Sequence, residues 1–467
     1  MVIVHTIETP SLGDRSYLVH DGEVALVIDP QRDLDRVLSA AEEAGVTISH
    51  IAETHLHNDY VSGGLALSRR TGATYLHAAA EELPFDHRGV GDDDTIEVGT
   101  LTVRVLATPG HTQHHLSYHV TESGDEAGPG ALFTGGSLLY GSVGRTDLVA
   151  ADLTDTLTRQ QYRSVRGMID SLPGGTHFYP THGFGSFCSS SEGGDDSDGT
   201  LTGERSVNLA LTIEDEDDFV ERLMSGLSDH PAYYAQMGPM NRAGGIPVDL
   251  SPAAPVDPTE LSRRIHRGEW VVDLRNRRAY ATDHVVGTIG IELDDPFATY
   301  LGWLIPWGTA LTLVADTIED LAEAQRQLVR IGIDRPAGGA AGGPKVWGEG
   351  HEHSSYPAIT FDHVVKHRSE HGGVVLDVRR DDEWADGHLA GATHVAIHQL
   401  LDHLDEVPDE HLFVHCATGF RASIAASLLA RAGKDVTLID DDYDRVAELG
   451  LPTERSGSAW PGQDGSR

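Results

Sequence analysis

The sequence predicts an α/β protein of three domains, a larger layered unit followed by two smaller ones. Three observations predict it. At 467 residues the chain exceeds what one ordinary core encloses. Short apolar runs bounded by turn residues alternate with stretches of helical period along most of its length. Two C-terminal segments also align as an internal repeat, WVVDLRN with VVLDVRR and TLVADTIEDLAEA with LFVHCATGFRASIA. The stretch PAYYAQMGPMNRAGGIPVDLSPAAPVDP, dense in proline and glycine, places a boundary near residue 250, giving domains over 1–250, 256–350 and 355–455.

In the first domain VIVHTI, SYLVH and VALVID read as strands, LDRVLSAAEEAG as a helix and ISHIAETH as a buried strand ending at His55. VSGGLALSRRTG reads as the next helix, and TIEV and LTVRVLA as further strands that lead into TPGHTQHHLSYHV. A strand ending at Thr134 and a glycine-rich loop, ALFTGGSLLYGSVGRTDL, precede a helix near LTDTLTRQQYRSVRGMIDSL. HFYPTHG then brings His182 to a strand end. SSSEGGDDSDGTLTGE is short-chained, acidic and aperiodic, the composition of a flexible surface insertion. FVERLMSGL restores a helix before the boundary.

The chemistry concentrates at THLHNDYVSGG. Histidines at i and i+2 with an aspartate at i+4 cannot share one helix face, but an irregular turn between strand and helix can aim His55, His57 and Asp59 at one point. Neutral imidazole and carboxylate suit a divalent ion such as zinc or iron. His111 follows a Pro-Gly turn at another strand end, and one of His114 and His115 reads as merely exposed.

Composition limits the partners. Acidic residues outnumber basic ones 73 to 34, a formal charge of −39, and lysine occurs only at Lys345, Lys366 and Lys434. Charges this crowded repel in dilute buffer and are screened in concentrated salt, a composition that resembles proteins of extreme halophiles. With no basic stripe, nucleic acid and anionic membrane are excluded as expected partners. Cys188 and Cys416 are too far apart in context to form a disulfide framework, and no run approaches 18 apolar residues. A reducing, cytoplasmic setting is expected.

The order HxHxD, a lone histidine after Pro-Gly, FTG, GRTD and a late histidine resembles the metallo-β-lactamase superfamily over roughly residues 1–250, nearest its glyoxalase II and persulfide dioxygenase branch. The resemblance implies a four-layer αββα sandwich with metal at one edge, and His55, His57, His111, Asp59 and His182 as its ligands. The chain departs at two positions. The aspartate usual after FTG is Gly136, and the histidine usual after Asp59 is Tyr60. One divalent ion, Fe(II) or Zn(II), is therefore expected in place of two. Cys188, six residues past His182, reads as a packed thiol.

The second repeat has its own chemistry. Strand FVH delivers Cys416 into the turn ATGF, where loop N–H groups and a helix N-terminus favour a thiolate, and Arg421 adds a fixed positive charge for an anion. VVLDVRRDDEWADGHLAGA followed by HCATGFRA resembles rhodanese, a sulfurtransferase family, over roughly 355–450, which implies a Cys416 persulfide. The first repeat reads VADTIED, with Asp316 near the cysteine position, and is expected to be non-catalytic. Asp273 with Arg275 and Asp377 with Arg379 read as structural pairs.

Sulfur transfer through Cys416, joined to metal-dependent oxygenation of a small-thiol persulfide to sulfite, is the leading expectation. A zinc thioester hydrolase with a rhodanese appendage is the second, and a metal-free scaffold beside a sulfurtransferase the third. Partners are a small-molecule thiol, persulfide or thiosulfate, and the surface of the first domain is compatible with a homodimer.

Overall fold

Side chains alternate across the strands of the N-terminal unit, and that alternation builds its layers. In the computed structural model, which describes residues 1–190 and 199–455, six strands form one sheet in chain order: Ile3–Thr9, Asp14–His20, Val24–Ile28, Thr47–Ala52, Thr74–Ala78 and Arg88–Val90. Five more form a second sheet in the order His177–Pro180, Ala131–Gly135, Leu116–Glu122, Leu101–Ala107 and Thr95–Val98. Tyr17, Val19, Leu26 and Ile28 of the first sheet share a buried cluster with Val103, Val105, Tyr118, Val120 and Phe133 of the second. Their neighbours in sequence point the other way. Leu18, Ala25 and Val27 meet Val37, Ala41 and Leu65 of the helices Asp35–Ala44 and Gly64–Thr71, and Leu132 meets Val165, Met168 and Ile169 of helix Thr154–Ser171. The period of two thus fixes the layer order helix, sheet, sheet, helix.

The described chain divides into two compact units: Met1–Asp249 with Arg326–Asp334, and Leu250–Gln325 with the residues from Arg335 onward. Apart from Arg326–Asp334 of the first, both repeats therefore lie in one unit. The first builds a parallel sheet ordered Ile289–Gly290, Trp270–Asp273, Leu311–Val314, Gly338–Ala340. The second builds one ordered Ala358–Ile359, Val436–Ile439, Leu412–His415, Val374–Asp377, Thr393–His394. A short helix of the first repeat, Phe297–Leu304, is buried along its whole length; its Tyr300 packs on Phe420 and its Trp303 stacks on His398.

Both strand-end pairs are structural, and they are near copies. Arg275 binds both oxygens of Asp273 and donates at 2.8 Å to the carbonyl of Asp283. Arg379 binds both oxygens of Asp377 and donates at 2.8 Å to the carbonyl of Gly387. These clamps set the register and correct one expectation. Asp273 pairs with Val314 as Asp377 pairs with His415, so Ala315, not Asp316, takes the place of Cys416. The aligned strings run one residue out because apolar pattern alone does not fix register at a strand end.

The reading of a flexible insertion over 189–204 is narrowed as well. Residues 191–198 lie outside the described residues, and Leu201–Glu204 is a helical turn whose Thr200 side chain accepts from Gly203 N. Leu201 is buried with Phe178 and Val165, and the Glu204 carboxylate accepts from Gly141 N at 3.0 Å and Asn208 Nδ2 at 2.9 Å.

Candidate metal centre and cysteine loop

Chain segments just past three strand ends carry the histidine cluster. His55 and His57 follow strand Thr47–Ala52, His111 follows Leu101–Ala107, and His182 follows His177–Pro180. All four rings, with Asp14 and Asp59, are buried. The ring centroids of His55 lie 4.1 Å from His57, 4.8 Å from His111 and 5.3 Å from His182.

Three of the rings are held by their Nδ1 atoms. His111 Nδ1 lies 2.7 Å from the Arg145 carbonyl oxygen, His55 Nδ1 lies 2.8 Å from Thr54 Oγ1, and His182 Nδ1 lies 2.9 Å from Asp14 Oδ1. Such partners fix tautomer and ring orientation around a metal. Arg145 is itself fixed by two bonds to Asp147, at 2.7 and 2.8 Å.

His57 is held differently. Its Nε2 lies 2.9 Å from the Tyr60 hydroxyl and 3.3 Å from both Asp29 and Glu53. Burial opposes its charge, but the Asp29 and Glu53 carboxylates outweigh burial and lift His57 to about 9. Burial among like rings does the reverse for His55, well below the ordinary histidine value, and for His111, down to about 3. Both therefore stay neutral, the form that ligates. Asp14 is pushed up to about 8 by burial and by Asp59 beside it.

The donor set fits a divalent cation. Among the described residues, His57 Nδ1, His111 Nε2, Asp14 Oδ2 and Asp59 Oδ1 are buried here without a hydrogen-bond partner. Buried polar atoms left bare are costly unless an ion or water satisfies them. Donor atoms of His55, His57 and His182 lie within 4.8 Å of one another, as do those of His111, His182 and Cys188, and those of Asp14, Asp59 and His182. His182 is common to all three sets, which makes it the pivot of the cluster. A fourth buried set, Asp29, Glu53 and His57, is the cage around His57 Nε2.

Gly136 is explained by sterics. A Cβ there would lie 2.3 Å from His111 Cδ2, so the ring occupies the space that a side chain would need. The Tyr60 hydroxyl, 2.9 Å from His57 Nε2, orients that ring.

Cys416 stands one residue past strand Leu412–His415, buried, with the Gly419 N–H donating to its sulfur at 3.2 Å. Gly419 has φ 91°, and a Cβ on it would lie 2.3 Å from Asp440 Oδ1, so this tight turn requires glycine. Helix Phe420–Arg431 starts there. Arg421 is not a bare cation: both its terminal nitrogens bind Glu383, one at 2.7 Å.

Residues 14–182 match the metallo-beta-lactamase superfamily and residues 361–449 the rhodanese-like domain. A hydroxyacylglutathione hydrolase of Erythrobacter litoralis (strain HTCC2594) is 32% identical over 188 residues, 39% of this chain and 67% of that protein. The chain belongs to the metallo-β-lactamase superfamily. Another hydroxyacylglutathione hydrolase, from Ectopseudomonas mendocina (strain ymp), is 36% identical over 33% of this chain and 55% of its own length. The chain spans about half the length of several such relatives, 44% in the case of the one from Rhodospirillum rubrum. Among solved structures, a metallo-beta-lactamase from Staphylococcus aureus subsp. aureus COL is 28% identical with TM-score 0.65, covering 73% of this chain and 99% of that one. ETHE1 from Myxococcus xanthus is 27% identical with TM-score 0.44, covering 52% of this chain and all of that one.

Within the metallo-β-lactamase domain, all five histidine and aspartate residues singled out from sequence converge on one buried cluster. Asp59 stands on the Nδ1 side of His182, 3.1 Å away. Asp14, Asp29, Glu53 and Arg145 were not singled out, and His115, read as half of a pair with one exposed member, is buried. His115 Nε2 accepts from Gly136 N at 3.0 Å, and its ring stacks on His55. Of these only Asp29 had a signal, a carboxylate ending the apolar run VALVI just before Pro30. No described helix is long and apolar enough to cross a membrane.

Proposed function

We propose that the chain is a sulfur-metabolising enzyme in which Cys416 relays sulfane sulfur and the metallo-β-lactamase domain uses one divalent metal to process a small-thiol persulfide. One observation carries the reading. A buried cluster of bare histidine and carboxylate donors and a cysteine on a rhodanese-like loop occur in the same chain.

At the loop, the Cys416 thiolate attacks the outer sulfur of thiosulfate, forming a Cys416 persulfide and releasing sulfite. An acceptor thiolate then takes that sulfur, giving its own persulfide and restoring the thiolate. The Gly419 N–H steadies negative charge on the Cys416 sulfur. Arg421 shares its charge between Glu383 and an arriving anion.

At the histidine cluster, neutral His55 and His111 would hold the metal together with His57 and His182, with Asp59 alongside. The Asp29, Glu53, Asp59 and Asp14 carboxylates keep His57 and His182 protonated, and both would release those protons on binding. Iron there would supply oxygen activation, so that persulfide, dioxygen and water yield thiol and sulfite; zinc would instead supply activated water for thioester hydrolysis. The hydroxyacylglutathione hydrolases among the relatives favour that second chemistry. Elemental analysis of protein purified in high salt, followed by oxygen-electrode assay with glutathione persulfide and hydrolysis assay with a glutathione thioester, separates them. Oxygen uptake lost in His111→Ala supports oxygenation; hydrolysis without oxygen uptake replaces it. Cys416→Ser is expected to abolish thiosulfate-dependent sulfur transfer, and undiminished transfer would refute the role of Cys416.

A further inference from the structure

Cys188 is buried among the bare donors and has no part in the reading above. Its segment is anchored by main chain. Arg145 N donates to the Cys188 carbonyl at 2.9 Å, Ser190 N donates to the Val143 carbonyl at 3.0 Å, and Gly144 bridges to Ser189. Gly144 N in turn donates to the Gly136 carbonyl at 3.0 Å, so Cys188 is tied to the loop that lacks the expected carboxylate. The thiol is fully buried.

The sulfur lies within 4.8 Å of donor nitrogens of His111 and His182. Donors bound to one zinc-sized ion at about 2.0–2.3 Å stand about 3.3–3.8 Å apart in tetrahedral geometry, so a modest contraction brings all three onto one cation. His111 Nε2 is buried and unpartnered and is therefore free to ligate. No side chain can approach from Gly136, because a Cβ there would strike the His111 ring. Burial and the Asp59 and Asp14 carboxylates hold the thiol well above its usual range, with the Tyr234 hydroxyl and the Arg145 guanidinium opposing them, so the charged form needs a cation beside the sulfur.

We propose that Cys188 is a thiolate ligand of the cation held by His111 and His182, supplying from an adjacent segment the anionic donor that Gly136 cannot. On ligation the S–H bond breaks, a sulfur–metal bond forms and the proton leaves to solvent. The inference rests on the reading that the cluster binds a divalent metal. A thiolate makes the site softer than one of imidazoles and carboxylate alone and shifts its preference toward zinc.

Cobalt(II) added to chelator-treated full-length protein tests it. With only two cysteines in the chain, Cys416→Ser leaves Cys188 as the sole thiol. Wild type and Cys416→Ser are expected to show visible d–d bands together with an intense near-ultraviolet thiolate-to-cobalt band. Cys188→Ser should keep the d–d bands and lose the thiolate band. If wild type shows d–d bands and no thiolate band, the ligand assignment fails while the metal reading stands. If no cobalt binds at all, both fail. Should Cys188→Ser not fold, zinc-edge X-ray absorption on the Cys416→Ser protein decides: a sulfur neighbour at about 2.3 Å supports the assignment, and nitrogen and oxygen neighbours alone overturn it.

Discussion

Replacing Gly136 by the aspartate usual at its position should damage the site. The new Cβ would stand 2.3 Å from His111 Cδ2 and 2.7 Å from Cγ, about 1 Å inside ordinary contact. The ring cannot swing away freely, since its Nδ1 is held by the Arg145 carbonyl at 2.7 Å and its backbone N–H by Gln161 Oε1 at 2.7 Å. Overpacking of this kind costs about 1–3 kcal/mol. For a domain of this size that lowers Tm by about 2–12 °C. Gly136→Ala isolates the steric part, and Gly136→Asp adds a donor. Both variants should lose stability in metal-free differential scanning fluorimetry, bind less metal per chain by elemental analysis, and lose about 100-fold in any metal-dependent turnover if His111 moves by about 1 Å. The reasoning is refuted if Gly136→Asp binds as much metal as wild type, or more, with unchanged Tm, because the carboxylate position would then still be open.

Three other outcomes are expected. Phe133→Ala, in the cluster between the two sheets, should destabilise the metallo-β-lactamase domain by about 3–5 kcal/mol in urea unfolding, and a loss under about 1 kcal/mol would contradict the packing described. Glu383→Gln removes the charged partner of Arg421 and should cost about 1.5–3 kcal/mol while lowering KM for thiosulfate; a raised KM would show that Glu383 orients Arg421 more than it competes for it. With a formal charge of −39, Tm should rise as KCl increases from about 0.1 to 1 M, where the screening length falls from about 10 to 3 Å, and a flat profile would show that self-repulsion is unimportant.

Most strands, and the places of His55, His111 and His182 at strand ends, were legible from local pattern, period two and histidines just past apolar runs, whereas the four-layer order and the full ligand set came only with the resemblance to the metallo-β-lactamase superfamily. What escaped were contacts made over long separations. Asp14 reaches His182 across 168 residues, and Glu383 reaches Arg421 across 38, with nothing in either local sequence to announce the partner. Cys188 reads as packing because burial and ligation leave the same trace in a sequence, an isolated cysteine near an apolar residue. The one-residue slip between Asp316 and Ala315 has the same origin as the missed contacts, since hydrogen bonding to the neighbouring strand sets register.

The matching clamps of Asp273 with Arg275 and Asp377 with Arg379 make the C-terminal unit its own control experiment. Two copies of one scaffold sit in the same solvent and the same chain, alike in the ion pair that closes a strand and unlike at the residue past the facing strand, alanine in one and cysteine in the other. Installing cysteine at Ala315 would ask whether a thiol at the end of such a strand is enough for sulfur chemistry, or whether the turn through Gly419 and the start of the next helix must come with it.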